Sequence, residues 1–81
     1  MKILFFGRLG DMVGRETHVE VPPETRTVAD LRQLLAQLHP AASEDLSRPS
    51  LRACVNDLIV GENYVVADSE TVEFFPPLSG G

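Results

Sequence analysis

The last eight residues, Phe74-Phe75-Pro76-Pro77-Leu78-Ser79-Gly80-Gly81, offer chemistry that the rest of the chain lacks. Gly81 ends in an α-carboxyl with no side chain beside it, and Gly80 before it also has no Cβ. Such an end can thread a narrow channel and lay its carboxylate against a second protein's reacting atoms, where a Cβ would clash. Pro76 and Pro77 end the strand before them and favour an extended exit from the body. Residues 76–81 then reach about 20 Å. Leu78 is an apolar anchor along that length, and Ser79 completes the threading segment with Gly80. A free α-carboxyl titrates near about 3.5, so at neutral pH it is ionised and a poor electrophile. It must be activated before it can carry anything.

Other constellations of catalytic type are missing. His18 and His39 are far apart and have no cysteine near either, so no zinc spacing exists; both read as surface histidines. Gly7, Gly10 and Gly14 do not match the dinucleotide fingerprint, and no Gly-Lys-Ser/Thr follows them. Glu44-Asp45 and Asp68-Ser69-Glu70 read as solvated turns. Cys54 sits between Ala53 and Val55 with no adjacent base other than Arg52, which reads as an inert small hydrophobe and not as a persulfide carrier. No metal site is expected.

The composition sets outer limits. Eighty-one residues make one domain, with room for a compact core and little for a deep cleft. Twelve acids against seven bases give a net charge of −5. That argues against nucleic acid, where affinity rests on Lys and Arg at phosphates, and against an anionic membrane surface. One cysteine excludes an internal disulfide. No segment has the length of a membrane span, and Ile3-Leu4-Phe5-Phe6 is too short for a signal sequence. The expected location is the cytoplasm.

The elements that must position the tail follow from pattern. Lys2 to Phe6 reads as a strand bounded by Gly7. Arg8 to Gly14 reads as a loop or one helical turn. Thr17 to Val21 alternates and forms a hairpin with the first strand, stopped by Pro22-Pro23. Thr27-Val28-Ala29-Asp30 has the form of a capping box. Val28, Leu31, Leu35 and Leu38, widened by Leu34, continue a helical stripe to Pro40. Ala41 to Ser50 reads as irregular, with room for a turn of helix. Leu51 to Asn56 and Leu58 to Val60 read as strands joined at Asn56-Asp57. Thr71 to Phe75 is the last strand, after a turn at Asp68-Ser69-Glu70. The expected fold class is α+β, a mixed sheet packed on one main helix. The expected division is a domain over 1–75 and an extended tail over 76–81.

Neighbouring strand residues face opposite ways. Alternation places Ile3, Phe5, Val72 and Phe74 under the helix. Phe6 and Phe75 then fall on the open face, joined by Ile59. Exposed aromatic surface of this kind marks a partner interface, unless 41–50 folds over it.

With these residues in view, the chain resembles the ubiquitin-like sulfur carriers of the MoaD/ThiS type, the family of the molybdopterin synthase small subunits. The likeness rests on Lys2-Ile3-Leu4-Phe5-Phe6-Gly7-Arg8-Leu9, Thr27 to Leu31, Ala53-Cys54-Val55-Asn56, Asp68 to Phe75 and the Phe-Phe-Pro-Pro-Leu-Ser-Gly-Gly end. Leu78-Ser79 stands where the family often has Val-Thr. The resemblance implies a β-grasp fold and a role as the non-catalytic, sulfur-carrying subunit of a heteromeric sulfurtransferase. It implies no bound cofactor; ATP is used by a partner adenylating enzyme (MoeB-like) to adenylate Gly81. A sulfur donor then converts the acyl-adenylate to a thiocarboxylate. That group gives sulfur to cyclic pyranopterin monophosphate inside a large catalytic subunit (MoaE-like), forming molybdopterin. By resemblance Phe6, Ile59 and Phe75, with Pro76 and Pro77, contact the large subunit, and two small and two large subunits form a heterotetramer. Three alternatives share parts of this reading: a thiamine-thiazole carrier, a ubiquitin-like modifier joined through Gly81 to a lysine, and an interaction module with an idle tail. Thiazole carriers are usually shorter and lack the Phe-Phe-Pro-Pro run.

Overall fold

The computed structural model describes residues 1–76; Pro77, Leu78, Ser79, Gly80 and Gly81 lie outside the described residues. The elements run β1 (Lys2–Phe5), α1 (Arg8–Val13), β2 (Glu16–His18), α2 (Val28–Leu38), a 3₁₀ turn (Pro40–Ala42), α3 (Ser43–Leu46), β3 (Arg52–Val55), β4 (Leu58–Val60) and β5 (Thr71–Phe75). The five strands form one sheet in the order β2-β1-β5-β3-β4. β1 and β5 are parallel, with Phe5 opposite Phe74. The remaining pairs, β1–β2, β3–β4 and β3–β5, are antiparallel. A mixed sheet with two hairpin arms, a central parallel pair and one long helix on a single face is the β-grasp arrangement, of class α+β.

The local causes are those the sequence contains. Thr27 Oγ1 accepts from the Asp30 N–H at 3.2 Å, and the Asp30 carboxylate accepts from the Thr27 N–H at 3.2 Å, closing the capping box at the start of α2. Asn56 and Asp57 adopt φ of 53° and 66°. These are the left-handed values that a two-residue hairpin turn needs and that Asn and Asp tolerate. The core is the inner sheet face packed on α2: Ile3, Phe5, Val28, Leu31, Leu35, Ala53, Val55, Val72 and Phe74 are all buried. Each such large side chain contributes about 1.5–3 kcal/mol over its exposed state.

Five local expectations change. β2 is Glu16–His18, not Thr17 to Val21; the Val19 N–H still bonds Met1 O at 2.9 Å, and the chain then leaves the sheet ahead of Pro22-Pro23, which cannot donate. Arg8 to Val13 is a regular helix, entered through Gly7 at φ 68°. Leu38, at the last turn of α2, is 53% exposed because the helix runs past the edge of the core there. His39 is partly buried, its ring edge-on to Phe5 at 6.4 Å, and is not a surface histidine. Segment 41–50 is largely helical. Ala42 and Leu46 are fully buried in the same core as α2, so it completes the helical layer and does not cover the open face.

Candidate functional site

The strand that leads into the tail is the central one, bonded to β1 on one side and β3 on the other. Its inward residues, Val72 and Phe74, are fully buried. Phe74 stacks on Phe5 with ring centroids 6.2 Å apart and planes inclined by 17°. The Arg32 guanidinium lies over the Phe74 ring, 5.5 Å from its centroid. The tail therefore follows the central strand of the sheet, paired on both sides.

Arg32 is the one buried charged residue among those described. Its Nη1 donates to Leu46 O at 3.0 Å and Arg48 O at 3.3 Å, and its Nη2 donates to Leu51 O. Its Nε pairs with the Glu62 carboxylate at 2.9 Å. One side chain thus ties α2, the 46–51 segment, the loop after β4 and β5 together. The sequence reading missed it, although the signal was present. Arg32 follows Val28 by four residues and so falls on the buried stripe by the same spacing that places Leu31 and Leu35.

The loop before β5 is clasped as well. The Tyr64 hydroxyl donates to Glu70 Oε2 at 2.6 Å, and the Ala67 N–H donates to Glu70 Oε1 at 2.7 Å. These bonds hold the Glu70 carboxyl below the usual carboxylate range, and the same carboxylate pushes the Tyr64 hydroxyl up.

At the other end of β5, Phe75 is partly exposed and Pro76 exposed. Phe6 is 46% exposed, and its N–H donates to Phe74 O at 3.0 Å, carrying the parallel register one residue past β1. Pro76 packs over Gly7, where an added Cβ would lie 2.8 Å from the proline Cγ. Phe6 and Pro76 border a groove of 310 Å³ that also includes Arg8, Leu9, Arg48 and Leu51. The structure thus brings Phe6, Phe75 and Pro76 together where the chain leaves the body.

Ile59, 64% exposed, stands apart on the edge strand. Cross-strand register places Leu4, Glu73, Cys54 and Ile59 in one row across the open face, with Phe75 beside Arg52 in the next. The face is therefore largely apolar, with Glu73 and Arg52 set into it. Leu4 belongs to it and was not anticipated, although period-two spacing from Phe6 marks it. Cys54 lies in this row, and burial, then the charges of Glu73 and Asp57, push its thiol up. It is held protonated and is a poor nucleophile. Among the described residues no group of three or more His, Cys, Asp or Glu is placed to hold a metal ion, and no helix is long and apolar enough to cross a membrane. Pro77, Leu78, Ser79, Gly80 and Gly81 lie outside the described residues.

This architecture has close counterparts. The chain is 35% identical over 81 residues to the molybdopterin synthase sulfur carrier subunit of Escherichia coli (strain K12), covering all of this chain and 99% of that protein. Among solved structures, SAMP1 from Haloferax volcanii superposes with a TM-score of 0.77 at 25% identity, over 99% of this chain and 97% of that one. A chain from the protein–protein complex of subunits 1 and 2 of molybdopterin-converting factor from Helicobacter pylori 26695 superposes with a TM-score of 0.65 at 20% identity, over 99% of this chain and 96% of that one. Residues 3–81, from within β1 through the glycine pair, match the ThiS family, and the chain belongs to that family.

Proposed function

We propose that this chain is the sulfur carrier of a molybdopterin synthase, with Gly81 as the carrying residue. The observation that carries the reading is the full-length family match, which includes the Gly80-Gly81 end as well as the β-grasp body. The 35% identity to a molybdopterin synthase sulfur carrier subunit supports the same pathway. A carboxylate oxygen of Gly81 attacks the α-phosphorus of ATP in a partner adenylating enzyme. Pyrophosphate leaves, and the acyl-adenylate forms. A sulfur donor attacks the acyl carbon, AMP leaves with the bonding pair, and Gly81 becomes a thiocarboxylate. That thiocarboxylate gives its sulfur to cyclic pyranopterin monophosphate in a large catalytic subunit. Leu78, Ser79 and Gly80 thread the channel to that site, and Phe6, Ile59, Phe75, Pro76 and Pro77 dock the body. The Helicobacter pylori complex of subunits 1 and 2 supports a two-subunit assembly. This chain supplies the carrier and the large subunit supplies the general acids and bases, a division that suits a small domain without a cleft.

The test is an intact mass after incubation with the adenylating enzyme, ATP and a sulfur source. The expected result is one sulfur in place of one oxygen, and no change in a chain lacking Gly81. An unaltered mass with an enzyme shown to be active would overturn the reading. Formation of molybdopterin on adding the large subunit and the pterin precursor separates this pathway from thiazole synthesis.

A further inference from the structure

Beside Phe6 and Pro76, two arginines converge on one carboxylate. Asp45, on α3, has a side chain only 17% exposed. Arg8 Nε, at the start of α1, lies 3.3 Å from its Oδ2 in a charge contact that is not aligned as a hydrogen bond. Arg48 Nε bonds its Oδ1 at 3.4 Å. The two guanidinia therefore stand on either side of a single carboxylate. Among the described residues, the Nη1 and Nη2 groups of Arg8 and the Nη1 group of Arg48 have no acceptor. Arg48 Nη2 meets Glu44 Oε1 at 3.4 Å, but Glu44 is 86% exposed, and a pair this open contributes little.

Arg8, Asp45 and Arg48 line the groove that Phe6 and Pro76 border. Phe6, Leu9, Leu51 and Pro76 give it an apolar wall, and the two arginines give it a cationic edge. Its 310 Å³ is at the small end of ligand pockets and takes a side chain or two. A guanidinium fork with open donors binds a carboxylate through paired, charge-assisted hydrogen bonds. The net charge of −5 repels acidic surfaces elsewhere on the chain, so two arginines beside an apolar wall make this groove the exception.

Resting on the docking to a large subunit proposed above, we infer that this groove receives a carboxylate side chain of that subunit, an Asp or Glu with an apolar neighbour. The carboxylate pairs with Arg8 and Arg48, and the apolar neighbour lies against Phe6 and Pro76. Asp45 is a positioning residue, which sets the two guanidinia and does not itself meet the partner. The charge of the edge selects an acid, and the wall selects what stands beside it. Phe6 and Pro76 belong both to the groove and to the proposed docking surface, so the two are continuous. The contact then extends from the open face, where Phe75 lies, round to the helical layer, where Asp45 lies. Contacts on both sides of the point where the chain leaves the body fix the direction in which it enters the partner.

Two measurements on the full chain with the large subunit test this. The first is binding kinetics by surface plasmon resonance over a range of salt concentrations. Arg8→Gln with Arg48→Gln is expected to raise Kd at least about tenfold at low salt, mainly through slower association, and to flatten the salt dependence. Arg15→Gln with Arg26→Gln removes the same charge elsewhere and is expected to change Kd by no more than about twofold. Circular dichroism establishes that each variant is folded; Arg8 is 81% exposed, so its substitution empties no core position. The second is carbodiimide cross-linking of the complex with Arg8→Lys, which places an amine at the groove in a chain whose only native lysine is Lys2, at the other end of β1. The expected product joins that new amine to an Asp or Glu of the large subunit, located by peptide mass mapping. Unchanged Kd and salt dependence in the Arg8 and Arg48 double variant would overturn the assignment, and so would a cross-link from position 8 to Asp45 alone. Self-association of the chain by sedimentation, lost in the same double variant, would give the groove to a second copy and overturn it likewise. An unaltered chain that does not bind the large subunit would overturn the docking proposed above and this assignment with it, an outcome distinct from the other three.

Discussion

A guanidinium enclosed by protein must recover its lost hydration through hydrogen bonds, and Arg32 does so on three backbone carbonyls and one carboxylate. The carbonyls of Leu46 and Leu51 gain a charged donor in a buried position. Glu62 is half exposed, so its Coulomb share is small; the buried bonds to carbonyls dominate. Arg32→Met keeps the bulk of the side chain and its contact with Phe74 but strands those acceptors. It is expected to cost about 3 kcal/mol, since an unsatisfied buried polar group costs about 1–3 kcal/mol and more than one is left. Urea unfolding measures it, and a loss below about 0.5 kcal/mol would show that water replaces the guanidinium at no cost. Arg32→Lys is expected to recover only part, because an ammonium cannot reproduce the planar fork.

At the scale of elements, two carboxylates hold down chain at the ends of segments: Asp30 at the start of α2 and Glu70 ahead of β5. Asp30 is held below its usual range by the Arg26 and Thr27 N–H groups, and Glu70 by the Tyr64 hydroxyl and the Ala67 N–H. The folded value lies below the unfolded one in both cases. Each contribution is therefore fully present above the ordinary carboxylate range and disappears as pH falls through the folded value. Unfolding free energy is expected to drop on acidification across that window. Glu70→Gln is expected to lower stability at neutral pH and to make the drop shallower; an identical slope in both proteins would remove Glu70 from the acid response. These clasps also show which structure is legible in the sequence. The Thr27–Asp30 box and the Asn56-Asp57 turn are short-range devices, readable from adjacent residues. Alternation sorts Ile3, Phe5, Val72 and Phe74 inward because every strand obeys a period of two. The burial of Leu46 and Ala42 is not readable in this way. Segment 41–50 has no sustained period, and its place in the core rests on tertiary contacts distant in sequence: Ala42 and Leu46 packed with α2, and the Arg32 bonds to Leu46 O and Arg48 O. Likewise the exposure of Leu38 depends on where the sheet ends, which the helical stripe does not contain.

For the whole molecule, the central strand separates stability from the work of the tail. Val72 and Phe74 are locked between β1, β3 and α2, and among the described residues the core is built wholly from residues ahead of Pro76. Gly81→Ala is expected to leave thermal unfolding unchanged while impairing sulfur transfer, since a Cβ at the last residue obstructs the close approach that threading requires. Unimpaired transfer by that variant would rule out close threading. Phe75 tests the other half of the same division. It lies at the mouth of the tail, partly exposed and next to Phe6, whereas Ile59 stands two strands away on the edge. Anchors near the centre of an interface dominate its affinity, and peripheral contacts mostly exclude water. A large subunit that receives the tail must cover Phe75 as the chain enters it. Phe75→Ala is therefore expected to weaken its binding by about 2 kcal/mol, roughly 30-fold in Kd. Ile59→Ala is expected to cost less than about 1 kcal/mol. Titration calorimetry with the large subunit distinguishes the two; a larger loss at Ile59 than at Phe75 would place the centre of the interface on the edge strand and not at the root of the tail.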